Sequence, residues 1–437
     1  MKTRNVLITG LGAISPLGLS AEELWKGICE GVCGLKEITA FDASGFECRI
    51  AGEAPEFKVN KFVPKYHRKA TKLMSRDIQL AVVAADDAVR SSGLITKAID
   101  PDNVSIDPER FAINIGSGMI SCDLPELAPA VAASLVDGKF NIKAWGEEGI
   151  SKITPLWLLK YLPNMLACHV GIIHDIRGPG NNITLAEVSG LVSVIEAAQT
   201  IDRGDSDAAL AGAAEAKINP VVLMRQQLLK RSFTGSCDPP ETACRPFDKN
   251  ARGSVFSEGG GIAVLEDSDT AASRNAKVYA QIAGCGQSMS LNKKFECLEP
   301  GGKGLEIAVT AALKDAGITA AEIDLVLPHG TGVAGDDAAE AAALSRVFGT
   351  EAQRVYFLPT KSMIGHCGAA SGIIDIILAC KAMENSYIPA AKNCEENISG
   401  LKISDKPIEK KINYALCCGY TFGGQTAAVV LKNPEVK

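Results

Sequence analysis

Short apolar segments alternate with alanine-rich segments of helical periodicity along the first part of the chain. The apolar segments span residues 4–10, 110–118 and 207–216, and the helical patterns span 78–93 and 191–204. Strands buried on both faces of a sheet read as continuous apolar runs, whereas amphipathic helices repeat their apolar positions every three to four residues. The alternation therefore predicts an α/β protein with buried sheets.

The same alternation resumes after a glycine-rich segment at 253–266. Its segments span 277–286, 304–317, 323–332 and 372–383. We therefore predict two similar halves, residues 1–268 and 269–437, which pack as one body because no long linker separates them. Residues 125–153 have weak periodicity and several charges, and we interpret them as an insertion that forms a cap or lines a dimer interface.

Composition and charge narrow the function classes. The 437 residues carry a formal net charge of −6, so no basic excess attracts a nucleic acid. No run of about 18 uninterrupted apolar residues occurs, so we expect no membrane span. Glycines and a proline break the apolar N-terminal stretch, which argues against a signal peptide. The 14 cysteines are scattered without a CxxC pair, which favours free thiols and the cytoplasm.

Several short segments are candidates for chemistry. Residues 10–15, "GLGAIS", begin like a dinucleotide-binding fingerprint, but Ser15 stands where the third glycine is needed, so a tight strand-to-loop turn is favoured. His329 directly follows an apolar strand, at the edge where open α/β sheets build their sites. Lys361 and His366 share one glycine-rich turn. We predict a site where these two residues and His329 converge, although a lone histidine is more often structural.

A carboxylate stands where a buried helix begins. Glu187 lies between the turn-forming "RGPGNN" and a helical pattern, followed by Ser189 and Gly190. Such small residues suit a tight strand-to-helix elbow, where many α/β enzymes expose a nucleophile. The alternative is an ordinary acidic residue in a first helical turn. Phe422, in "FGG", belongs to a mobile gate or to a simple hairpin.

Motifs along nearly the whole chain resemble those of one enzyme family. They are "VLITGLGAISPLG", "RGP", "ALAGAAEA", "CRPFDKNARGSVFSEGGG", "HGTG", "TKSMIGH" and "FGG". In this order they resemble the condensing enzymes of the thiolase superfamily, specifically the β-ketoacyl-acyl carrier protein synthase II type of fatty acid and polyketide synthesis. The resemblance implies a five-layer αβαβα architecture of two related halves, usually in a homodimer.

The resemblance also implies roles for individual residues. His329 and His366 match the histidines that stabilise the enolate when a malonyl-carrier loses carbon dioxide. Lys361 matches the lysine that orients the second histidine, paired with an acid that matches Glu340. The residues implied in the substrate gate or in pantetheine binding are Phe422, Thr331 and Thr421. Val333 stands where the family has a pantetheine-binding threonine, and Thr421 replaces a glycine of the gating loop. Neither a metal nor a dissociable coenzyme is implied, because the carrier brings its own phosphopantetheine.

The family nucleophile is a cysteine, and Glu187 stands at its position, ten residues beyond Arg177. A carboxylate attacking a thioester would give a mixed anhydride, so chain elongation by this subunit alone is disfavoured. Malonyl decarboxylation needs only donors to the enolate oxygen. An ionised Glu187 about 5 Å from the malonyl carboxylate would repel it by roughly 3 kcal/mol at an effective dielectric constant of about 20. A protonated Glu187 would donate a hydrogen bond, like the glutamine of priming ketosynthases.

Two functions of different classes follow. The first is a malonyl-carrier decarboxylase of the priming type. The second is a noncatalytic partner of an active ketosynthase, like the chain-length factors, although those generally lose the histidines as well. The predicted quaternary state is accordingly a homodimer or a heterodimer with a ketosynthase.

A basic stretch suggests where an acyl carrier protein docks. Basic residues recur there at helical spacing, namely Lys65, Lys69, Lys72 and Arg76, with Arg68 beside them, and would form one basic face. An ordinary solvated helix face is the commoner reason for such a pattern. Because the family docks acidic carriers through this region, the resemblance favours carrier docking.

Overall fold

One mixed β-sheet runs through the part of the chain that the computed structural model describes, residues 4–235, 237–292 and 298–436. Its strand order is β8-β7-β9-β10-β6-β1-β5-β4-β2-β3. The strands are β1 (Val6–Ile14), β2 (Phe111–Ser117), β3 (Gly180–Ile183), β4 (Ala208–Ala216), β5 (Glu258–Asp267), β6 (Ala280–Met289), β7 (Leu325–Leu327), β8 (Tyr356–Phe357), β9 (Tyr414–Tyr420) and β10 (Gln425–Lys432).

The sheet consists of two halves with the same topology. The first half has the order β1-β5-β4-β2-β3 and the second has β6-β10-β9-β7-β8, so each strand of one half corresponds to the strand five places later. In each half the three outermost strands are parallel and the inner ones antiparallel. A short β1–β6 pairing, Leu7 with Gln281 and Ile8 with Ala280, joins the halves. The predicted duplicated α/β fold is confirmed, and the boundary at 268/269 stays a prediction.

Helices cover the sheet halves in layers. The α-helices are α1 (Ala21–Cys29), α2 (Arg76–Ser92), α3 (Leu124–Ala133), α4 (Met165–His174), α5 (Ser189–Asp202), α6 (Pro220–Leu228), α7 (Ser268–Ser273), α8 (Lys303–Ala316), α9 (Ala334–Phe348), α10 (Lys361–Ile364) and α11 (Ser371–Asn385). Helices α5 and α11 lie between the halves, α2 and α4 cover the first half, and α8 and α9 cover the second. Helix layer, first sheet half, central helices, second sheet half and outer helix layer together make the five layers of the αβαβα arrangement.

Shorter elements connect these layers. A three-residue α-helix spans Ile142–Ala144 and a π-helical turn spans Trp145–Gly149. The 3₁₀ segments are Val59–Lys61, Lys65–Leu73, Pro108–Arg110, Ile150–Lys152, Trp157–Lys160, Ala186–Val188, Pro240–Thr242, Ala320–Glu322, Gly349–Gln353 and Gly368–Ala370. The two-stranded pairs are Leu35–Glu37 with Ile50–Gly52, Leu135–Val136 with Lys139–Phe140, and Tyr387–Ile388 with Ile408–Glu409.

Small residues let the two central helices approach each other closely. A Cβ atom at Gly190 would lie 2.7 Å from the carbonyl oxygen of Ala369, and one at Gly372 would lie 2.4 Å from Cγ of Leu191. Close packing of this kind leaves no room for a larger residue. It brings the turn before α5, which carries Glu187, against the turn before α11, which carries His366.

The tight turn predicted at residues 10–15 is wrong. Strand β1 continues to Ile14, with an irregularity in its register between Ile8 and Gly10. A Cβ atom at Gly12 would lie 2.1 Å from the carbonyl oxygen of Ala84 in α2. The glycines that resemble a turn therefore serve the packing of α2 onto the strand, which sequence periodicity does not reveal.

The predicted insertion at 125–153 carries most of α3, a two-stranded hairpin and short helical turns. Several of its apolar side chains are exposed, Leu135, Val136, Phe140 and Ile142 among them. Its role as a cap or dimer lining stays a prediction. No helix of the described ranges combines the length and the apolar character needed to cross a bilayer.

A buried carboxyl at the start of α2 makes the stability of the fold depend on pH. Asp77 is buried and its Oδ1 accepts a hydrogen bond of 3.0 Å from the backbone N–H of Ala216. Burial raises the pKa of Asp77 to about 7. The native state therefore retains a proton that the unfolded chain loses at about pH 4, so raising the pH from about 4 to about 7 lowers the free energy of unfolding.

Asp77→Asn is expected to remove this loss, because asparagine keeps the acceptor oxygen and cannot ionise. The variant should be more stable than the wild type above pH 7, by at most about 4 kcal/mol, and similar to it near pH 4. Urea unfolding at both pH values measures the difference. Asp269→Asn, at an exposed position, serves as the matched control. Equal pH slopes for Asp77→Asn and the wild type would contradict the prediction.

Candidate active site

Glu187 lies in a tight turn between β3 and α5, as the sequence predicted. The turn is one 3₁₀ segment, Ala186–Val188, and Ala186 has φ of 47°, in the left-handed region. Ser189 holds it: its Oγ accepts from the N–H of Leu185 at 2.8 Å and donates to the carbonyl of Ala186 at 2.7 Å. Glu187, which directly follows this left-handed residue, is buried.

The Glu187 side chain is buried among charged groups. It is 4% exposed, and its Oε2 lacks a hydrogen-bond partner within the described residues. The nearby guanidinium of Arg231 pairs with Asp336 at 2.6 Å. Burial by itself lowers the pKa of the Arg231 guanidinium. The negative charges of Asp336 and then Glu187 outweigh this effect, so the pKa is raised. Arg231 is therefore a permanent cation beside Glu187.

Backbone hydrogen bonds to α9 fix the loop that carries His329. The two carboxyl oxygens of Glu340 accept from the N–H groups of His329 and Gly330 at 2.7 and 2.8 Å. Asp337 accepts from the N–H groups of Thr331 and Gly332 in the same way. His329 is buried, and its Nε2 lacks a partner within the described residues. The loop thus holds an imidazole whose Nε2 is available to a ligand.

His366 lies beside His329 with a defined tautomer. The two ring centroids are 5.1 Å apart and the rings are nearly perpendicular. The N–H of Gly368 donates to Nδ1 of His366 at 3.0 Å, so the proton of the neutral ring is on Nε2. Burial, and next the positive charge of Lys361, lowers the pKa of both histidines well below the usual value. Both rings are therefore neutral near pH 7.

Lys361 pairs with a different acid from the predicted one. Its Nζ lies 3.6 Å from Oδ2 of Asp375 on α11, and both side chains are 1% exposed. Glu340 instead binds the His329 loop, and burial raises its pKa to about 8. In place of the predicted direct pairing with Glu340, Lys361 pairs with Asp375, and its ammonium acts on Glu340 only as a nearby charge that lowers the pKa of that carboxyl.

Sequence reasoning missed three members of this cluster, Asp375, Arg231 and Tyr420. Asp375 had a signal, since it is a lone charge in the apolar run "GIIDIIL". The ring centroid of Tyr420 lies 4.7 Å from that of His329. Neither Arg231 nor Tyr420 stands in a motif that marks it. Together with Glu187, His329 and Lys361, they form a buried polar cluster.

The predicted gate residues lie near this cluster. Phe422 is half-buried in the hairpin turn between β9 and β10, 5.5 Å from the guanidinium of Arg231. The hydroxyl of Thr421 donates to Gln425 at 2.5 Å, and that of Thr331 donates to Asp337 at 3.3 Å. Both threonines are buried and hydrogen-bonded to these side chains, and gating and pantetheine binding stay predictions.

The predicted docking residues form a smaller group than the sequence suggested. Lys65, Arg68, Lys69 and Lys72 are exposed on the 3₁₀ segment Lys65–Leu73. Arg76 belongs to α2, which begins after the N-cap Ser75, and it binds both carboxyl oxygens of Glu258 at 2.6 and 2.8 Å. The prediction of a single basic helical face that includes Arg76 is therefore wrong, because a separate helix, α2, begins at Arg76.

Comparison with known proteins shows the family of the chain. The N-terminal domain model of β-ketoacyl synthases matches residues 3–271, and the C-terminal domain model matches residues 279–395. The chain belongs to the β-ketoacyl synthase family. Within this family it is 33% identical over 436 residues to 3-oxoacyl-[acyl-carrier-protein] synthase 2 of Vibrio harveyi, with 99% of each chain covered. It is 31% identical over 437 residues to the protein of the same name from Vibrio cholerae, with 99% of this chain and 100% of that one covered.

Solved structures of other family members share the fold. One is described as the ishigamide ketosynthase/chain length factor, with a TM-score of 0.81, 27% identity and 99% of each chain covered. A β-ketoacyl synthase from Burkholderia phymatum has a TM-score of 0.83 and 25% identity, with 98% of this chain and 99% of that one covered. Among the described residues, no group of three or more histidine, cysteine or acidic side chains is arranged to hold a metal ion.

Proposed function

We propose that this chain decarboxylates the malonyl thioester of an acyl carrier protein and does not itself accept an acyl group. The observation that carries the proposal is the pair of neutral, buried imidazoles, His329 and His366, whose rings meet beside the Glu187 turn. Donors placed where negative charge develops are the main requirement of this reaction. The names of the relatives, 3-oxoacyl-[acyl-carrier-protein] synthase 2, support a carrier-bound substrate.

The reaction breaks one carbon–carbon bond. The bond between the α-carbon and the malonyl carboxylate breaks, carbon dioxide leaves, and the electron pair moves onto the thioester oxygen. The Nε2–H of His366 donates to this enolate oxygen, and His329 donates from its own Nε2. The α-carbon then takes a proton from water, which leaves an acetyl thioester on the carrier. Neither imidazole changes its protonation state overall.

We further infer that Glu187 occupies the position of the acyl-accepting cysteine of active ketosynthases. The tight turn at the start of α5 supports this, since it packs against the turn that follows His366. The cysteines next to the two histidine loops are poor substitutes. Burial raises the pKa of Cys367 to about 12 and that of Cys418 well above its usual value. A carboxylate in this position disfavours thioester exchange, because the resulting mixed anhydride lies uphill of the thioester.

The experiment is mass spectrometry of malonyl-carrier incubated with the purified protein. We expect acetyl-carrier to accumulate well above the rate in buffer, and the intact mass of the protein to stay unchanged. Persistence of malonyl-carrier at the buffer rate would contradict decarboxylation. An acyl adduct on the protein would contradict the assignment of Glu187 as a non-acceptor.

The carrier is proposed to dock on the exposed basic residues of the 3₁₀ segment. Double reversal, Lys65→Glu with Lys69→Glu, is expected to weaken carrier binding about tenfold, roughly 1.4 kcal/mol, since exposed charge pairs contribute modestly. The effect should shrink at high salt. Fluorescence anisotropy with a labelled carrier measures it, and reversal of exposed Lys36 and Lys314 is the control. Equal affinity of the two double variants for the carrier would contradict docking on this segment.

A second candidate function is that of a partner subunit for an active ketosynthase. It is favoured by the similarity to the ishigamide ketosynthase/chain length factor, at 27% identity. Strand β3 is one of the two terminal strands of the described sheet, and the hairpin at Leu135–Phe140 has exposed apolar side chains that a second subunit could cover. Co-purification with a cysteine-containing ketosynthase, together with no decarboxylation by this chain alone, would support this candidate over the first.

A further inference from the structure

A buried ion pair lies directly behind the turn that carries His366. Nζ of Lys217 is 2.9 Å from Oε1 of Glu215, and the side chains are 3% and 2% exposed. Glu215 stands near the end of β4, and Lys217 follows directly after the strand. The mechanism above uses neither of them.

The pair is built into the His366 turn. The other oxygen of Glu215, Oε2, accepts a hydrogen bond of 2.7 Å from the N–H of Ala369. A Cβ atom at Gly368 would lie 2.0 Å from Oε2 of Glu215 and 2.4 Å from Cε of Lys217. Gly368 has φ of 58°, and its N–H is the donor to Nδ1 of His366. The Glu215 carboxylate therefore fixes the Gly368–Ala369 peptide unit, next to the N–H of Gly368 that donates to Nδ1 of His366.

We propose that Lys217 and Glu215 are positioning residues that set the tautomer and the charge of His366. Glu215 fixes the Gly368–Ala369 peptide so that the N–H of Gly368 meets Nδ1, which leaves the proton of the ring on Nε2. Lys217 balances the charge of Glu215 and adds a positive charge behind the ring. Its ammonium lies 6.0 Å from the ring centroid of Phe256, which itself lies 5.6 Å from that of His366.

A buried charged pair is less favourable here than an apolar filling of the same space. Removing two charges from water costs several kcal/mol per ion, and apolar residues of similar volume often pack as well or better. The cations that lower the pKa of His366, after burial, are Lys361, Lys217 and Arg231. A lysine behind the ring thus has an effect on the imidazole that an apolar residue would lack.

The test reads the imidazole itself, by ¹⁵N NMR of histidine-labelled protein. The chain has five histidines, so a His366→Gln sample identifies the His366 signals. In Lys217→Met we expect the pKa of His366 to rise by a unit or more, a tenfold or larger gain in proton affinity. In Glu215→Gln we expect no rise, because the positive charge remains and glutamine keeps an acceptor for the N–H of Ala369.

A merely structural role would give another pattern. If either substitution simply loosened the turn, water would reach the ring and the pKa would rise in both variants, which would overturn the proposal. An unchanged His366 in a folded Lys217→Met protein would overturn it as well. Lys381→Met is the matched control, since Lys381 is equally buried and ion-paired, with Glu22 and Glu384, on α11. It should leave His366 unchanged.

This inference rests on the proposed role of His366, but its readout does not depend on turnover. A protein that fails to decarboxylate malonyl-carrier and still shows the expected NMR shifts would refute the proposed function alone. Active protein without the shifts would refute the positioning role alone. Lys217→Arg should restore the wild-type signals, because it returns the positive charge.

Discussion

Glu187→Cys is expected to convert a protein that holds no acyl group into one that is acylated by an acyl-carrier thioester. The intact mass should rise by one acyl group, from no detectable adduct to near one adduct per chain. A thiolate is a strong nucleophile toward thioesters, and a helix N-terminus and a nearby cation lower the pKa of a thiol. Position 187 offers both features, with α5 beginning at Ser189 and Arg231 close by. Cysteine is also smaller than glutamate, so it fits the buried turn.

Intact-mass spectrometry after incubation with hexanoyl-carrier measures this change, and malonyl-carrier added afterwards tests condensation. Glu187→Ala is the matched control, because it removes the carboxylate without supplying a nucleophile. A folded Glu187→Cys protein that stays unacylated would show that position 187 is not the acceptor position. Equal acylation of the alanine variant would move the nucleophile to another cysteine.

His329→Ala is expected to lower the rate of malonyl decarboxylation by about 10²–10³-fold, which corresponds to about 2.7–4 kcal/mol of transition-state stabilisation for one oxyanion donor. The loss should fall on kcat more than on KM, because the enolate charge develops only in the transition state. His329 presents its unpartnered Nε2 beside His366, and its own loop is held through backbone groups that alanine retains.

His174→Gln provides the control for removing a buried histidine. His174 lies on α4, where its Nδ1 is 2.8 Å from the hydroxyl of Thr96. Its substitution should leave decarboxylation within a few-fold of the wild type. If His329→Ala decarboxylates at the wild-type rate, the two imidazoles do not stabilise the enolate, and the partner-subunit function becomes the better account of the chain.

Repetition in the pattern of apolar segments was enough to predict two related α/β halves. Strands such as β1 and β4 are buried along nearly their whole length, and their sequences consist almost entirely of apolar and small residues. The pattern failed at β1, where Gly10 and Gly12 resemble a turn but serve the close approach of α2. It also failed to separate the 3₁₀ segment of Lys65 from the helix of Arg76, because both carry basic residues at similar spacing.

For the candidate site, sequence alone determined which side chains stand at strand ends and turns, namely Glu187, His329, Lys361 and His366, since these positions follow from local signals. Only the tertiary structure decided their partners. Asp375 pairs with Lys361 and Arg231 comes close to Glu187, and each contact joins residues more than ten positions apart. Local periodicity reports neighbours three or four residues away, whereas the faces that two packed helices or strands present to each other depend on every side chain between them.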